Sequence, residues 1–271
     1  MIHWSTDLQF GMAYVMLGRC ERLEDLYITG NFSPEQIKCD KEALAESKRL
    51  SQMFDESQQI QNEQRAKHWK ISFLNVRSMK SSNGHREDVA HDNLLMDTDI
   101  FALGETWLEN DDSVEFDGYT GFHANFGNGK GIVGYSKMDI VAKPKTLSSE
   151  TYSAIFFETR HFNIIFLYLS SNYKKSELFE LLDGWIEDSV PIAVMGDVNE
   201  NLDRLPTVPF SRKMASLGFE QLIKEPTCTT GNLIDHIYIN AAMKSLKVYT
   251  EIDAAYYSDH DIISLCVKNQ E

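Results

Sequence analysis

Ser258-Asp259-His260-Asp261, followed at once by the apolar run Ile262-Ile263-Ser264-Leu265-Cys266-Val267, is the stretch on which the reading of this chain turns. A closing strand there begins directly after acids and a histidine. Two other apolar runs end in the same way, residues 192–195 before Asp197 and residues 100–103 before Glu105. Carboxylates at the ends of several buried strands, joined by a histidine, are the raw material of metal-assisted hydrolysis.

Composition bounds the rest. The 271 residues are 42% hydrophobic and 25% charged, enough for one sizeable core and a small appendage. No apolar run approaches the ~20 residues of a membrane span, and the opening residues 1–7 lack the basic and apolar regions of a signal peptide, so an intracellular chain is expected. Cys20, Cys39, Cys228 and Cys266 are far apart and form no C-x-x-C pair, which indicates neither a zinc site nor a disulfide framework. The net charge of -15 argues against binding nucleic acid through overall attraction. Residues 1–67 hold 8 basic and 11 acidic residues and the remainder 18 and 30, so the acidic excess belongs to the larger segment, where a metal site would use part of it.

Residues 55–67 are almost wholly polar and read as a linker or helix tail between an N-terminal segment, 1–54, and a main domain, 68–271. Upstream, Leu26-Tyr27-Ile28 forms a short strand candidate, and Asp40 is placed to cap a helix carrying Ala43, Leu44, Leu50 and Met53. From Ile71 onward strand and helix patterns alternate. Strands are expected over residues 71–74, 100–103, 131–135, 152–159, 162–169, 192–195, 233–239 and 262–267. Helices are expected from a Ser176 cap through Ile186, over about 85–95 and over about 211–217. The pattern suggests a two-sheet α+β domain.

Gly129-Lys130-Gly131-Ile132-Val133-Gly134 fits the dinucleotide fingerprint letter for letter, but it follows a loop and leads into a β-like run rather than opening a helix. A hairpin entry is expected there. Neither a P-loop nor a G-x-S-x-G elbow occurs. What remains is a series of polar signatures, each hanging from a strand: Leu74-Asn75-Val76-Arg77-Ser78, Glu105-Thr106-Trp107-Leu108, Gly196-Asp197-Val198-Asn199, Leu233-Ile234-Asp235-His236-Ile237-Tyr238 and Ser258-Asp259-His260-Asp261. One such acid is ordinarily a turn residue or helix cap. Five signatures in order are hard to attribute to caps alone.

In order and spacing they resemble the endonuclease/exonuclease/phosphatase superfamily, and most closely the apurinic-type endonuclease domains of non-LTR retrotransposons and related mobile elements. The resemblance covers residues 71–268. It implies a deoxyribonuclease-like four-layer α/β/β/α sandwich with the active site at one edge, a monomer, a nuclear location, and magnesium-dependent hydrolysis of DNA phosphodiesters, with manganese as a substitute metal. Other phosphoesterases of the superfamily, RNA nucleases or phosphomonoesterases, stay open as alternatives, as does an inactive nucleic-acid-binding remnant.

Phosphodiester hydrolysis calls for these residue types, because negative charge must be stabilised, a water deprotonated and a leaving oxygen neutralised. By resemblance Glu105 is the main magnesium ligand, Asn75 coordinates or positions it, and Asp259 is a second ligand or acts through water. Asp197 matches the water-activating carboxylate, and Asn199 holds the water or a phosphate oxygen. If the backbone stays extended, their two-residue spacing turns both side chains to one face. Asp235 would orient His260 and favour its imidazolium, which donates to the scissile phosphate. His236 on the opposite face is expected to be structural.

Tyr168 resembles the family's phosphate-contacting tyrosine, although Asn172 departs from the tyrosine-x-x-asparagine spacing of apurinic-site enzymes. Arg77 stands where those repair enzymes have an acid, which weakens a repair role and offers a contact for a backbone phosphate instead. Lys174 with Lys175, and Arg212 with Lys213, are further candidates for tracking a nucleic-acid backbone.

The N-terminal segment carries a separate resemblance. Ala13-Tyr14-Val15-Met16-Leu17-Gly18-Arg19-Cys20 and Leu23-Glu24-Asp25-Leu26-Tyr27-Ile28 resemble the last motif of Pif-group DNA helicases, with Arg19 at the place of the γ-phosphate arginine and Met16 and Gly18 departing from the usual alanine and serine. Without a P-loop this implies no ATP hydrolysis and no nucleotide cofactor. Helicase and endonuclease side by side resemble the coding region of Helitron-like transposons.

Overall fold

The structure, a computed structural model, describes residues 2–3, 28–29, 46, 48–52, 68–80, 84–109, 112–125, 131–203 and 208–269. The chain divides into two compact units, Met1–Gln64 and Arg65–Glu271. In the first, β1 (Ile2–His3) pairs in parallel with β2 (Ile28–Thr29), and residues 46 and 48–52 are helical, with Arg49 bridging to Glu46. The helicase-like stretch 13–27 and the expected cap at Asp40 lie outside the described residues.

The second unit contains strands β3 (His68–Asn75), β4 (Ile100–Gly104), β5 (Thr120–Ala124), β6 (Ile132–Ser136), β7 (Lys145–Ser148), β8 (Tyr152–Glu158), β9 (Asn163–Leu169), β10 (Ile192–Asp197), β11 (Glu220–Gln221), β12 (Asp235–Ile239), β13 (Val248–Asp253) and β14 (Ile262–Lys268). They form two six-stranded sheets, ordered β13-β14-β3-β4-β6-β5 and β11-β12-β10-β9-β8-β7. The helices are α1 (Arg86–His91), α2 (Asn93–Met96), α3 (Lys175–Trp185), α4 (Pro209–Ser216) and α5 (Ala241–Lys244).

Side-chain alternation explains the layers. Ile71 and Phe73 of β3 and Ile100 and Ala102 of β4 join Ile164 and Phe166 of β9 and Met195 of β10 in one buried cluster between the sheets. The intervening residues point outward: Leu74, Phe101 and Leu103 pack with Val89 and Leu95 of α1 and α2, while Ile165 and Leu167 pack with Leu178 and Leu182 of α3 and Phe210 and Met214 of α4. Strands covered on both faces read as continuous apolar runs, the pattern that made them visible in the sequence. Burying each such side chain contributes roughly 1.5–3 kcal/mol. The result is the expected four-layer α/β/β/α sandwich.

Four strands of this unit were not expected, β5, β7, β11 and β13, and these are the four edges of its two sheets. Their side chains are largely exposed or half-buried, so no apolar run marks them. The expected helix over 85–95 is two helices, because Asp92 turns its side chain to accept from Leu94 N and Leu95 N and so caps a second start. Helix α3 begins at Lys175 rather than after Ser176, with Lys174 at the cap making no side-chain capping bond to the helix backbone; Thr151 Oγ1 instead accepts from Lys174 N at 3.2 Å and holds the chain one step earlier. Strand β3 opens at His68, three residues before the apolar run, through its pairing with Lys268. Gly131 leads into β6, which pairs antiparallel with β4 and β5, and no helix follows it.

Candidate active site

Topology brings the polar signatures to one edge of the sandwich. Strands β3 and β4 run parallel with Asn75 opposite Gly104, and β9 and β10 run parallel with Tyr168 opposite Asp197. The antiparallel β12 starts with Asp235 opposite Asp197. Strand β14 is antiparallel to β3, so the residues preceding it return to the end of β3, where Ser258 Oγ donates to the Asn75 carbonyl at 2.7 Å.

Three hydrogen bonds then cross from one sheet to the other. Asn75 Nδ2 donates to Asp197 Oδ2 at 2.9 Å, Tyr168 OH donates to Glu105 Oε1 at 3.0 Å, and His260 Nδ1 meets Asp235 Oδ2 at 2.9 Å. Asn75, Asp197 and Asp235 are essentially without solvent exposure. Thr227 Oγ1 also donates to Asp235 Oδ2, at 2.7 Å, so this carboxylate is fixed before it meets the histidine.

Asn199 reaches Asp197 by a different route from the extended one expected. Strand β10 ends at Asp197, and Asn199 adopts φ 54°, folding back so that its backbone N–H donates to Asp197 Oδ1 at 2.9 Å. Its amide Nδ2 donates to the Leu169 carbonyl at 2.7 Å and so spans β9 and β10. A short polar side chain tolerates the left-handed conformation and bonds locally, which is why asparagine suits this place.

Left-handed backbone concentrates here. Of the five non-glycine residues with positive φ among those described, Arg77, Glu105, Trp107 and Asn199 stand at strand ends of this edge. Such conformations cost on the order of 1–3 kcal/mol each and persist where surrounding contacts enforce them. Gly196 meets a related demand. At φ 147° a Cβ would lie 1.9 Å from the Leu167 carbonyl oxygen, so only glycine lets β10 approach β9 just before Asp197.

Burial and the charge of Asp235 push the Asp197 pKa well above the carboxylate range, against the counteracting pull of His260 and the Asn75 amide. For His260 burial by itself lowers the pKa, but the hydrogen bond and charge of Asp235 outweigh it and push the value up to about 10. Burial, followed by the charge of Glu105, raises the Tyr168 hydroxyl and keeps it a donor. His236 is different: burial lowers it to about 4, and its ring nitrogens meet Tyr238 OH and the Leu233 carbonyl.

Asp197, Asp235 and His260 present ligand atoms within 4.8 Å of one another, a group that could hold a metal ion. A histidine held as a cation by its carboxylate is a poor ligand, however, because a metal needs the neutral ring. Glu105, Asn75 and Asp259 offer an all-oxygen set at the adjoining strand ends. Asp259 Oδ2 pairs with Arg77 Nη1 at 2.7 Å, while its Oδ1, like Asp235 Oδ1, is buried without a hydrogen-bond partner. An unsatisfied buried carboxylate oxygen fits a cation-binding place.

The remaining sequence candidates lie less centrally. Asn172 Oδ1 accepts from Ser170 Oγ at 2.8 Å just beyond β9. Lys174 bridges to Glu177 at 3.3 Å at the start of α3, where Lys175 is exposed. Arg212 is exposed on α4; Lys213 bridges to Asp183 of α3 at 2.6 Å and lies over the Phe179 ring, engaged between the two helices. Thr227 escaped the sequence reading because a loop threonine eight residues before Asp235 carries no pattern of its own.

Residues 73–260 match the Endonuclease/Exonuclease/phosphatase family, and the chain belongs to that family. Among solved structures it is similar to the endonuclease domain of TRAS1, a telomere-specific non-LTR retrotransposon, at 14% identity and TM-score 0.54, over 75% of this chain and 100% of that one. It is similar to an AP endonuclease from Archaeoglobus fulgidus at 18% identity and TM-score 0.59, over 73% and 99%. A 3′ phosphatase from Neisseria bound to product DNA hairpin aligns at 16% identity and TM-score 0.56, over 74% and 100%. These likenesses establish the fold. A search of curated proteins gave no match. Among the described residues no helix is long and apolar enough to cross a membrane.

Proposed function

We propose that the chain is a magnesium-dependent endonuclease that hydrolyses DNA phosphodiester bonds, with manganese able to substitute, and that it derives from a transposable element. The observation that carries this reading is the buried Asp197 carboxylate, held by the Asn75 amide from the other sheet and by the Asn199 backbone, beside the Asp235–His260 pair. Asp197 accepts the proton of the attacking water. A carboxylate whose pKa is raised takes that proton more readily, and general-base catalysis by a positioned side chain contributes roughly 10²- to 10⁴-fold. Asn199 and Asn75 fix its two oxygens and leave the water one direction of approach.

His260, kept protonated by Asp235, donates to the non-bridging phosphate oxygen as charge develops there. Thr227 and Asp235 hold the ring in place, a positioning role. Tyr168 orients Glu105 across the sheet gap, and turning its one hydroxyl proton from Glu105 to the phosphate when substrate enters would free that carboxylate oxygen for the cation. Glu105, Asn75 and Asp259 would hold the divalent cation, which when bound supplies Lewis-acid stabilisation of the phosphate and of the leaving oxygen. Arg77, Asn172, Lys174 and Lys175 provide backbone contacts around the edge, with Arg212 and Lys213 more distant. The catalytic domain is residues 68–271, the linker 55–67 and the helicase-like segment 1–54. The protein works as a monomer in the nucleus without a nucleotide cofactor.

Relaxation of supercoiled plasmid in magnesium, abolished by a chelator and by Asp197→Asn, is the expected result. Release of inorganic phosphate from a 3′-phosphorylated oligonucleotide with no nicking would overturn the endonuclease reading in favour of a phosphomonoesterase.

A further inference from the structure

Among the described residues three aromatic side chains are strongly exposed: Trp107 at 40%, Tyr249 at 47% and Tyr256 at 99%. Tyr249 sits on the edge strand β13 and packs edge-on against His68. The other two stand on loops of the candidate site, Trp107 just past Glu105 and Tyr256 just before Asp259. Burial does not account for leaving either in water.

Both rings are presented by anchored backbone. Trp107 has φ 57°, a conformation that a bulky side chain avoids, and it is gripped between Thr106 and Leu108, which are 0% and 3% exposed. Tyr256 follows Ala255, 4% exposed, and precedes Tyr257, whose hydroxyl donates to Asp92 Oδ2 at 2.7 Å. Strands β14 and β4 lie on either side of β3, so the two loops flank the Asn75–Arg77 turn. Tyr256 stands on the connection from β13 to β14, so two to three strand spacings, roughly 10–15 Å, separate the roots of the two loops.

Charge gives a second reason to look to these rings. The chain carries a net charge of -15, and the arginine at this edge, Arg77, is engaged by Asp259. The cations that face a backbone phosphate are few, and Arg77 and Lys174 are already paired with acids, so phosphate contacts position the strand here more than they supply affinity. Stacking on aromatic rings needs no positive charge and tolerates any base, but it needs a base with a free face, which a paired and stacked duplex does not offer.

We propose that Trp107 and Tyr256 form a stacking platform for unpaired bases, so that the substrate class of this site is single-stranded DNA in preference to fully paired duplex. The proposal rests on the reading of the site as a DNA phosphodiesterase. Fluorescence anisotropy of a labelled oligonucleotide with the full chain, in chelator so that nothing is cut, tests it against a duplex of the same sequence. The parent should bind the single strand at least about tenfold tighter than the duplex, and Trp107→Ala and Tyr256→Ala should each weaken single-strand binding about tenfold with little change for the duplex. Trp107→Phe should retain most of the affinity. Trp107→Gly relieves the left-handed strain, so its Tm should not fall below the parent's while its single-strand affinity does. In magnesium, KM for single strands should rise with kcat held within about twofold.

Equal binding of single strand and duplex by the parent, or full affinity in both alanine variants, would overturn the platform. Tighter binding of an RNA oligonucleotide of the same sequence would overturn the choice of DNA. Nicking by the parent but not by Asp197→Asn would uphold the nuclease reading whatever the aromatic variants show. A parent that neither cuts nor binds DNA would sink both.

Discussion

Asn75 and Asp197, 122 residues apart in the chain, meet at 2.9 Å across the gap between the two sheets. Each ends an inner strand of its own sheet, so this bond exists only when the sandwich is closed. Asp235–His260 and Glu105–Tyr168 span the same gap. Folding and the assembly of the site are therefore one event, and a site residue can be replaced at little cost to the sheets only by a side chain of the same shape.

Asp197→Asn should still fold, with a Tm at or modestly below the parent's, since relief of a buried acid that burial and Asp235 disfavour as an anion is set against the loss of one acceptor for Asn75 or Asn199. Cleavage should fall by roughly 10²- to 10⁴-fold. Plasmid nicking and a thermal melt on the same preparation check both halves, and equal nicking rates would remove Asp197 from the chemistry.

Glu105→Gln keeps the volume and an acceptor for Tyr168 but loses the charge that attracts a hard cation. The magnesium concentration for half-maximal nicking should rise about tenfold or more. Tyr168→Phe removes the cross-sheet bond to Glu105 and should show a smaller shift in the same titration. An unchanged curve for Glu105→Gln would count against its role as a ligand.

Stability should depend on pH through His260. The unfolded ring loses its proton near 6.5, whereas in the fold the Asp235 bond overcomes burial and carries the value up to about 10. The raised pKa contributes stability fully present below pH about 6.5 and lost as pH rises toward about 10, by at most about 1.4 kcal/mol per pH unit. In His260→Gln that slope should flatten. Denaturant midpoints measured from pH 6 to 10 for both proteins decide it, and parallel profiles would mean that the ring is neutral in the fold.

A chain beginning at Arg65 retains the whole second unit and the pairing of His68 with Lys268. It should fold and nick DNA with the magnesium dependence of the full chain, while the full chain should show no DNA-stimulated ATP turnover. Lost nicking on truncation, or measurable ATP hydrolysis, would assign residues before it a part in function.

The sequence by itself determined the inner strands, because β3, β4, β9, β10 and β14 are buried on both faces and must be written as apolar runs. It also determined which polar residues stand at their ends, and an ordered set of short signatures sufficed to identify the family. The edge strands were silent, since β5, β7, β11 and β13 bury too little surface to leave a pattern. Only the tertiary structure decided how the ends combine. Parallel pairing of β3 with β4 and of β9 with β10 sends their carboxyl ends to one edge, and packing of the two sheets sets Asn75 on Asp197 and His260 on Asp235. Thr227 and the left-handed turns at Glu105 and Trp107 belong to the same category. A loop hydroxyl or a positive φ is selected by contacts distant in the chain, and local sequence carries no record of them.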